Sequence, residues 1–349
     1  MKLNRTNARK FMSLAIIAVM VIIAITGCAG SSSPAGTNEA QGFEERTLKF
    51  GHVRPEGSST DEDANAFMAA VTEGTEGKTT FEVYPNSQLG DYALVQERLG
   101  IGDVEMQLAP AAPNINPAIT LPSLPFLAST WDEAKTIFAR DGLLFNEVEA
   151  MFEQENIKML AGYPKYFGGI ITTVAPKAPG DPNISEDVKI RVPGIKSFEL
   201  TATALGYQAS PIAFSEAFTA IQTGIVNGAI GSGAEGYYSS FRDVTKYYLP
   251  VNSHFEIWWL QMSMDAWNKL SDDEKAVIEA AALKFEQDRW ATAPEEEQEY
   301  IALLEEAGAV IIEYTDEQYK AMADKVRAEV WPAVREEYGA ELFDKVTKK

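Results

Sequence analysis

Between Val188 and Ile230 the chain reads VKIRVPGIKSFELTATALGYQASPIAFSEAFTAIQTGIVNGAI, and this stretch restricts the fold more than any other. Val188 to Val192 alternates apolar and charged residues, the period of a half-exposed strand, and Pro193-Gly194 closes it. Arg191 therefore stands at a strand exit. From Ile195 to Leu205 the apolar spacing is helical, and Gly206 supplies a C-terminal stop. Gln208 to Pro211 returns as a short strand, Ser215 to Gly224 as a helix, and Ile225 to Ile230 as a further strand. That order predicts an α/β layer with a parallel sheet.

In open α/β sheets, ligands gather at the carboxyl ends of strands, beside the positive ends of helices. A guanidinium at such a place, as at Arg191, either grips a carboxylate through two parallel hydrogen bonds or pairs on the surface with a neighbouring acid.

The same stretch carries a resemblance. RVPG at Arg191, followed from Pro211 by P-x-x-F-S-E-x-F-x-A-I-Q-T-G-I-V-N-G, resembles the central signature of the DctP family, the extracytoplasmic solute-binding proteins of tripartite ATP-independent periplasmic (TRAP) transporters. Further matching segments are YPNSQLGDYALVQERLGIGDVEM (Tyr84 to Met106), LPFL (Leu124 to Leu127) and AWNKLSDDEKAVIEAA (Ala266 to Ala281). The resemblance extends from about Leu48 to the C-terminus. The resemblance implies a two-lobe α/β fold like that of periplasmic binding proteins, with a ligand cleft between the lobes and a long C-terminal helix spanning both. It also implies a non-enzymatic receptor that delivers a small organic acid to the membrane subunits of a TRAP permease, with no cofactor and no metal. A ligand-sensing lipoprotein that docks to a signalling receptor is the alternative with the same fold.

Residues 1–27 read as a lipoprotein signal peptide: Lys2, Arg5, Arg9 and Lys10, then apolar Phe11 to Ile25, then Ile25-Thr26-Gly27-Cys28. Cys28 is the chain's single cysteine and the expected lipidation site, which would hold the protein at the extracytoplasmic face of a membrane. No thiol then remains for a disulfide or a nucleophile. Residues 28–45 read as a flexible tether. The whole chain carries 30 Lys and Arg against 51 Asp and Glu, a net charge of −21. Such acidity disfavours nucleic acid as a partner. A monomer is expected.

Lobe I is expected over 46–170 plus about 259–297, and lobe II over 171–258 plus about 298–349, with crossovers near Thr172 and Trp258. Ser271 and Glu274 form a capping box at the start of a helix reaching about Glu306, interrupted by Pro294. Residues 340–346 read as an exposed end.

Under the resemblance, the strand-end loop at Arg54 faces the cleft, with His52 beside it, and Phe214 takes the place of the family's aromatic against the ligand's carbon skeleton. Two departures stand out. Family members often carry another arginine just before Thr172-Thr173, where this chain has Phe167-Gly168-Gly169. An acidic residue and an asparagine are common near positions 227 and 231, where this chain has Asn227 and Gly231. With the rings from Tyr237 to Trp259, these departures suit one carboxylate on Arg191 and an apolar or aromatic remainder. The stacking candidates are Phe214, Tyr166, Phe167, Tyr237 and Trp258, while Arg54 and His52 are candidates for a second polar end.

Catalytic patterns are sparse. The two histidines, His52 and His254, are isolated from each other in sequence and read as structural. Gly231-Ser232-Gly233-Ala234-Glu235-Gly236 matches a dinucleotide fingerprint, but it falls late in the chain and reads as a loop allowing close backbone approach.

Overall fold

A computed structural model describes residues 42–348. The expected signal peptide, most of the expected tether and Cys28 lie outside the described residues. The strands are β1 (Arg46–His52), β2 (Thr79–Tyr84), β3 (Met106–Ala109), β4 (Ile157–Phe167), β5 (Gly169–Thr172), β6 (Lys189–Val192), β7 (Gln208–Pro211), β8 (Gly228–Ser232), β9 (Tyr247–Leu249), β10 (Phe255–Ser263) and β11 (Val310–Ile311).

They form two sheets. The first has the order β2-β1-β3-β10-β4, and the second β11-β9-β5-β8-β6-β7. In the second sheet β6 pairs parallel with both β7 and β8, as the run from Val188 to Ile230 predicts. β5 enters that sheet antiparallel, between β8 and β9. In the first sheet β1 pairs parallel with β2 and β3, while β10 runs antiparallel between β3 and β4.

The chain leaves the first sheet after Phe167 and re-enters it at Phe255, whose partner is Phe167. Trp258, expected at a crossover, therefore lies well inside the first sheet, and Gly169 already pairs in the second. Every residue of β10 is buried, which explains why it is apolar on both faces with few charges.

One core packs on the first sheet around Phe50, Phe67, Leu108, Leu260 and Phe285, and another on the second around Ile171, Ala217, Ile221, Tyr237 and Leu304. Phe285 and Leu304 belong to the same 35-residue helix, Asp272–Glu306, which thereby serves both cores. Its capping box between Ser271 and Glu274 forms as expected. Pro294 does not interrupt it: the helix runs through, although the proline nitrogen has no hydrogen to give the carbonyl one turn earlier.

Residues 340–346 are not an exposed end. Ala340–Thr347 is a helix whose Phe343 and Val346, one turn apart, are buried in the largest core. The glycine-rich stretch is not a loop either. Gly231 and Ser232 close β8, and a helix begins at Ala234.

Candidate functional site

A pocket lies between the two sheets, at the exits of β1, β6 and β8, against the first half of β10. Its free volume is about 60 Å³. Small-molecule sites commonly run to about 300–1,000 Å³, so this one is narrow for a solute unless the walls move. Most of the lining is apolar, with Pro193, Ile195 and Phe198 on one side and Ile257, Trp258 and Trp259 on the other.

Arg191 leaves β6 where the alternation places it, and its side chain turns into this pocket. Nε donates to the Ile212 carbonyl at 2.8 Å and Nη1 to the Ile230 carbonyl at 3.4 Å. It is 3% exposed, and no carboxylate among the described residues lies within ion-pair distance of it. Burial lowers its pKa from the ordinary value, as desolvation of an unneutralised cation must. Tyr92 lines the pocket nearby, its hydroxyl pushed up to about 12 by burial.

Phe214 opens a helix, Phe214–Gln222, and two guanidiniums lie over its ring: Arg191 Cζ is 5.7 Å from the ring centroid and Arg54 Cζ 5.0 Å. That helix has no side-chain cap of its own. Instead the Ser215 amide donates to Asp91 Oδ2 at 3.4 Å, while Asp91 Oδ1 caps its own helix through the Ala93 amide. One carboxylate thus serves two helix N-termini.

Arg54 also lines the pocket, but it is neutralised from within. Nε donates to Glu235 at 3.1 Å, and Nη2 to Glu256 at 3.2 Å and Ser232 at 2.8 Å. Lys165 pairs with the same Glu235 oxygen at 2.8 Å. Burial pushes the Lys165 ammonium down to about 8, with Glu235 opposing. Burial pushes Glu235 up, and the pull of Lys165 and Arg54 outweighs it, holding the carboxyl low. Glu256 further accepts from the Gly233 amide at 2.8 Å and Trp258 Nε1 at 3.0 Å.

Four of the eight ligand-contact candidates therefore converge: Arg191, Phe214, Arg54 and Trp258. The other four do not. His52 is buried against Asp61, with Nε2 3.0 Å from Oδ1. Tyr237 sends its hydroxyl to the carbonyls of Gly169 and Ala229 inside the second sheet. Tyr166 and Phe167 are held by the long helix, through Glu296 and Glu297 respectively. His52, Tyr166 and Tyr237 each bury a polar side-chain group on an internal partner, and the Phe167 ring packs edge-on against Trp131 and Phe255.

Sequence reasoning missed Glu235, Glu256 and Lys165 as site residues. For Lys165 and Glu256 the signal is a charge set inside an apolar run, YPKYF and FEIWW, whereas Glu235 sits in a glycine-rich stretch without that signal. It also read His254 as structural. His254 lines the pocket, with Nδ1 3.2 Å from Ser253 Oγ and Nε2 buried without a partner. Burial depresses its pKa to about 3, so the ring is neutral near pH 7.

The family model described as bacterial extracellular solute-binding protein, family 7 (DctP), matches residues 50–337. A solute-binding protein of Roseobacter denitrificans is 28% identical over 317 residues, covering 89% of this chain and 95% of the relative. The C4-dicarboxylate-binding periplasmic protein DctP of Rhodobacter capsulatus is 25% identical, covering 85% and 88%. Among solved structures, the sugar acid binding protein of Advenella mimigardefordensis in complex with galactonate superposes with a TM-score of 0.81, at 23% identity over 87% of this chain and 97% of that one.

Proposed function

Since the chain belongs to the DctP family, the bacterial extracellular solute-binding proteins of family 7, we propose that Arg191 receives the carboxylate of a small organic acid in the pocket between the two sheets. The receptor role follows from membership: the protein is an extracytoplasmic solute receptor for organic acids that serves a TRAP permease. The sensing alternative finds no support among these relatives.

One observation carries the assignment to Arg191. A guanidinium without a counter-ion is held at the wall of an apolar pocket, with only carbonyl oxygens as partners. Desolvating a cation is costly, and a ligand carboxylate offsets that cost through paired, charge-assisted hydrogen bonds. Phe214 and Trp258 then pack against the carbon skeleton. The small free volume supports closure of two lobes around the ligand, one built on each sheet. Tethering through a lipid on Cys28 and a monomeric state complete the reading and rest on the sequence.

The test is a thermal-shift screen across monocarboxylates, dicarboxylates, sugar acids, aromatic acids and sulfonates, with neutral sugars and amines as controls. Stabilisation by at least one carboxylate, with none from the neutral or cationic set, is the expected result. Stabilisation by neutral or cationic solutes alone would overturn it.

A further inference from the structure

Two arginines reach this pocket, and the chain treats them differently. Arg54 and Arg191 both lie over Phe214, at 5.0 and 5.7 Å from its centroid. A ligand with two carboxylates would find a guanidinium for each if both were free. Arg191 has no acidic partner within ion-pair distance among the described residues, whereas Arg54 has Glu235 and Glu256.

We propose that Glu235 and Glu256 set the ligand class by occupying Arg54, so that the receptor takes hydroxy or keto monocarboxylates and rejects dicarboxylates. This rests on the assignment of the ligand carboxylate to Arg191.

Charge bookkeeping supports it. Arg54 and Lys165 supply two buried cations, and Glu235 and Glu256 two buried carboxylates, so the cluster is already neutral. Glu256 itself lines the pocket. A second ligand carboxylate approaching Arg54 therefore meets a like charge in a dry site, where repulsion is poorly screened. An uncharged oxygen meets no such penalty. Arg54 Nη1 makes no hydrogen bond to protein among the described residues and can donate to a hydroxyl or carbonyl oxygen. His254 Nε2, buried at the pocket wall without a partner, offers a second neutral contact. Rejection here comes from groups placed against the wrong ligand, as specificity commonly requires.

Two probe pairs differ only at the far end: galactonate against galactarate, and succinamate against succinate. Isothermal titration of the wild-type protein should favour the one-carboxylate member of a pair at least tenfold. Glu256→Gln keeps an acceptor for the Gly233 amide and Trp258 while removing one charge, and should shift that ratio at least tenfold toward the dicarboxylate. Lys165→Met removes a cation instead and should shift it the other way. Urea midpoints establish that each variant is folded. Wild-type preference for the dicarboxylates, no binding of any of the four probes, or an unchanged ratio in folded Glu256→Gln would each overturn the proposal. Arg191→Ala separates the two readings. Loss of binding there with an unchanged Glu256→Gln ratio sinks only the present inference, while intact binding there sinks the Arg191 assignment.

Discussion

Replacing Arg191 by alanine should damage binding far more than folding. The guanidinium is a desolvated cation whose hydrogen-bond partners among the described residues are two carbonyl oxygens. Removing it leaves those carbonyls short of a donor, which costs about 1–3 kcal/mol for each buried acceptor. It also removes a buried, unpaired charge whose own penalty is about several kcal/mol. These terms oppose each other, so the unliganded melting temperature should stay within a few degrees of wild type. Binding has no such compensation. Truncating one partner of a buried charge pair costs about 2–5 kcal/mol, roughly 30-fold to several thousand-fold in affinity. At a ligand concentration of about 100 Kd, mass action stabilises the wild type by about 2.7 kcal/mol. A 30-fold weaker variant at the same concentration gains about 0.9 kcal/mol. Thermal unfolding with and without ligand, backed by titration calorimetry, reads both effects. Arg191→Lys, which keeps the charge but not the fork, should fall between. A variant that binds within threefold of wild type, or that unfolds many degrees lower while still binding, would refute the reasoning.

The remaining predictions concern pH, packing and processing. His254 titrates near 3 when folded and near its ordinary value when unfolded, so the unfolded chain binds the extra proton between those limits. Stability should therefore fall as pH drops below about 6.5, by up to about 1.4 kcal/mol per pH unit for this group. His254→Leu should shrink the difference in urea midpoint between pH 7 and pH 5. His52, also lowered by burial, leaves a residue of the effect, and an unchanged difference in His254→Leu would count against it. A methyl at Gly168 would overlap the His254 ring, with Cε1 at 1.8 Å. Gly168→Ala should therefore destabilise by about 1–3 kcal/mol or more, and a wild-type urea midpoint would contradict that. Labelling with a fatty-acid analogue in cells should mark the wild-type chain and not Cys28→Ser; labelling of that variant would exclude Cys28 as the lipid site.

What local pattern decides was legible beforehand. The alternation of Val188 to Val192 sets β6 and puts Arg191 at its exit, and Ser271 with Glu274 marks the start of the long helix. Pairings between distant residues were not legible. Arg54 and Glu235 are 181 positions apart, and nothing in either neighbourhood names the other. The rings illustrate the same boundary. Aromatic content offered Tyr166, Phe167, Tyr237 and Trp258 alike as stacking candidates, but only tertiary placement decides which wall each joins. Trp258 faces the pocket, whereas Tyr237 is committed to carbonyls within its own sheet. Pro294 misled for a different reason. One missing hydrogen bond is small beside the burial that helix Asp272–Glu306 gains by joining two cores.

The carboxylate that Asp91 shares between two helix N-termini bears on how long a solute stays. Ser215 belongs to the side built on the second sheet and Asp91 to the side built on the first, so their exposed contact lasts only while the two sides are apposed. An exposed helix-end interaction of this kind is worth about 0.3–1 kcal/mol, which lengthens dwell time by roughly twofold to fivefold. A receptor that must surrender its cargo to a permease is served by a fastening of that strength. It is the lesser of two fastenings: Glu235, on the helix that follows β8, is buried against Arg54 and Lys165 of the first-sheet side, and those pairs set the slower part of any opening.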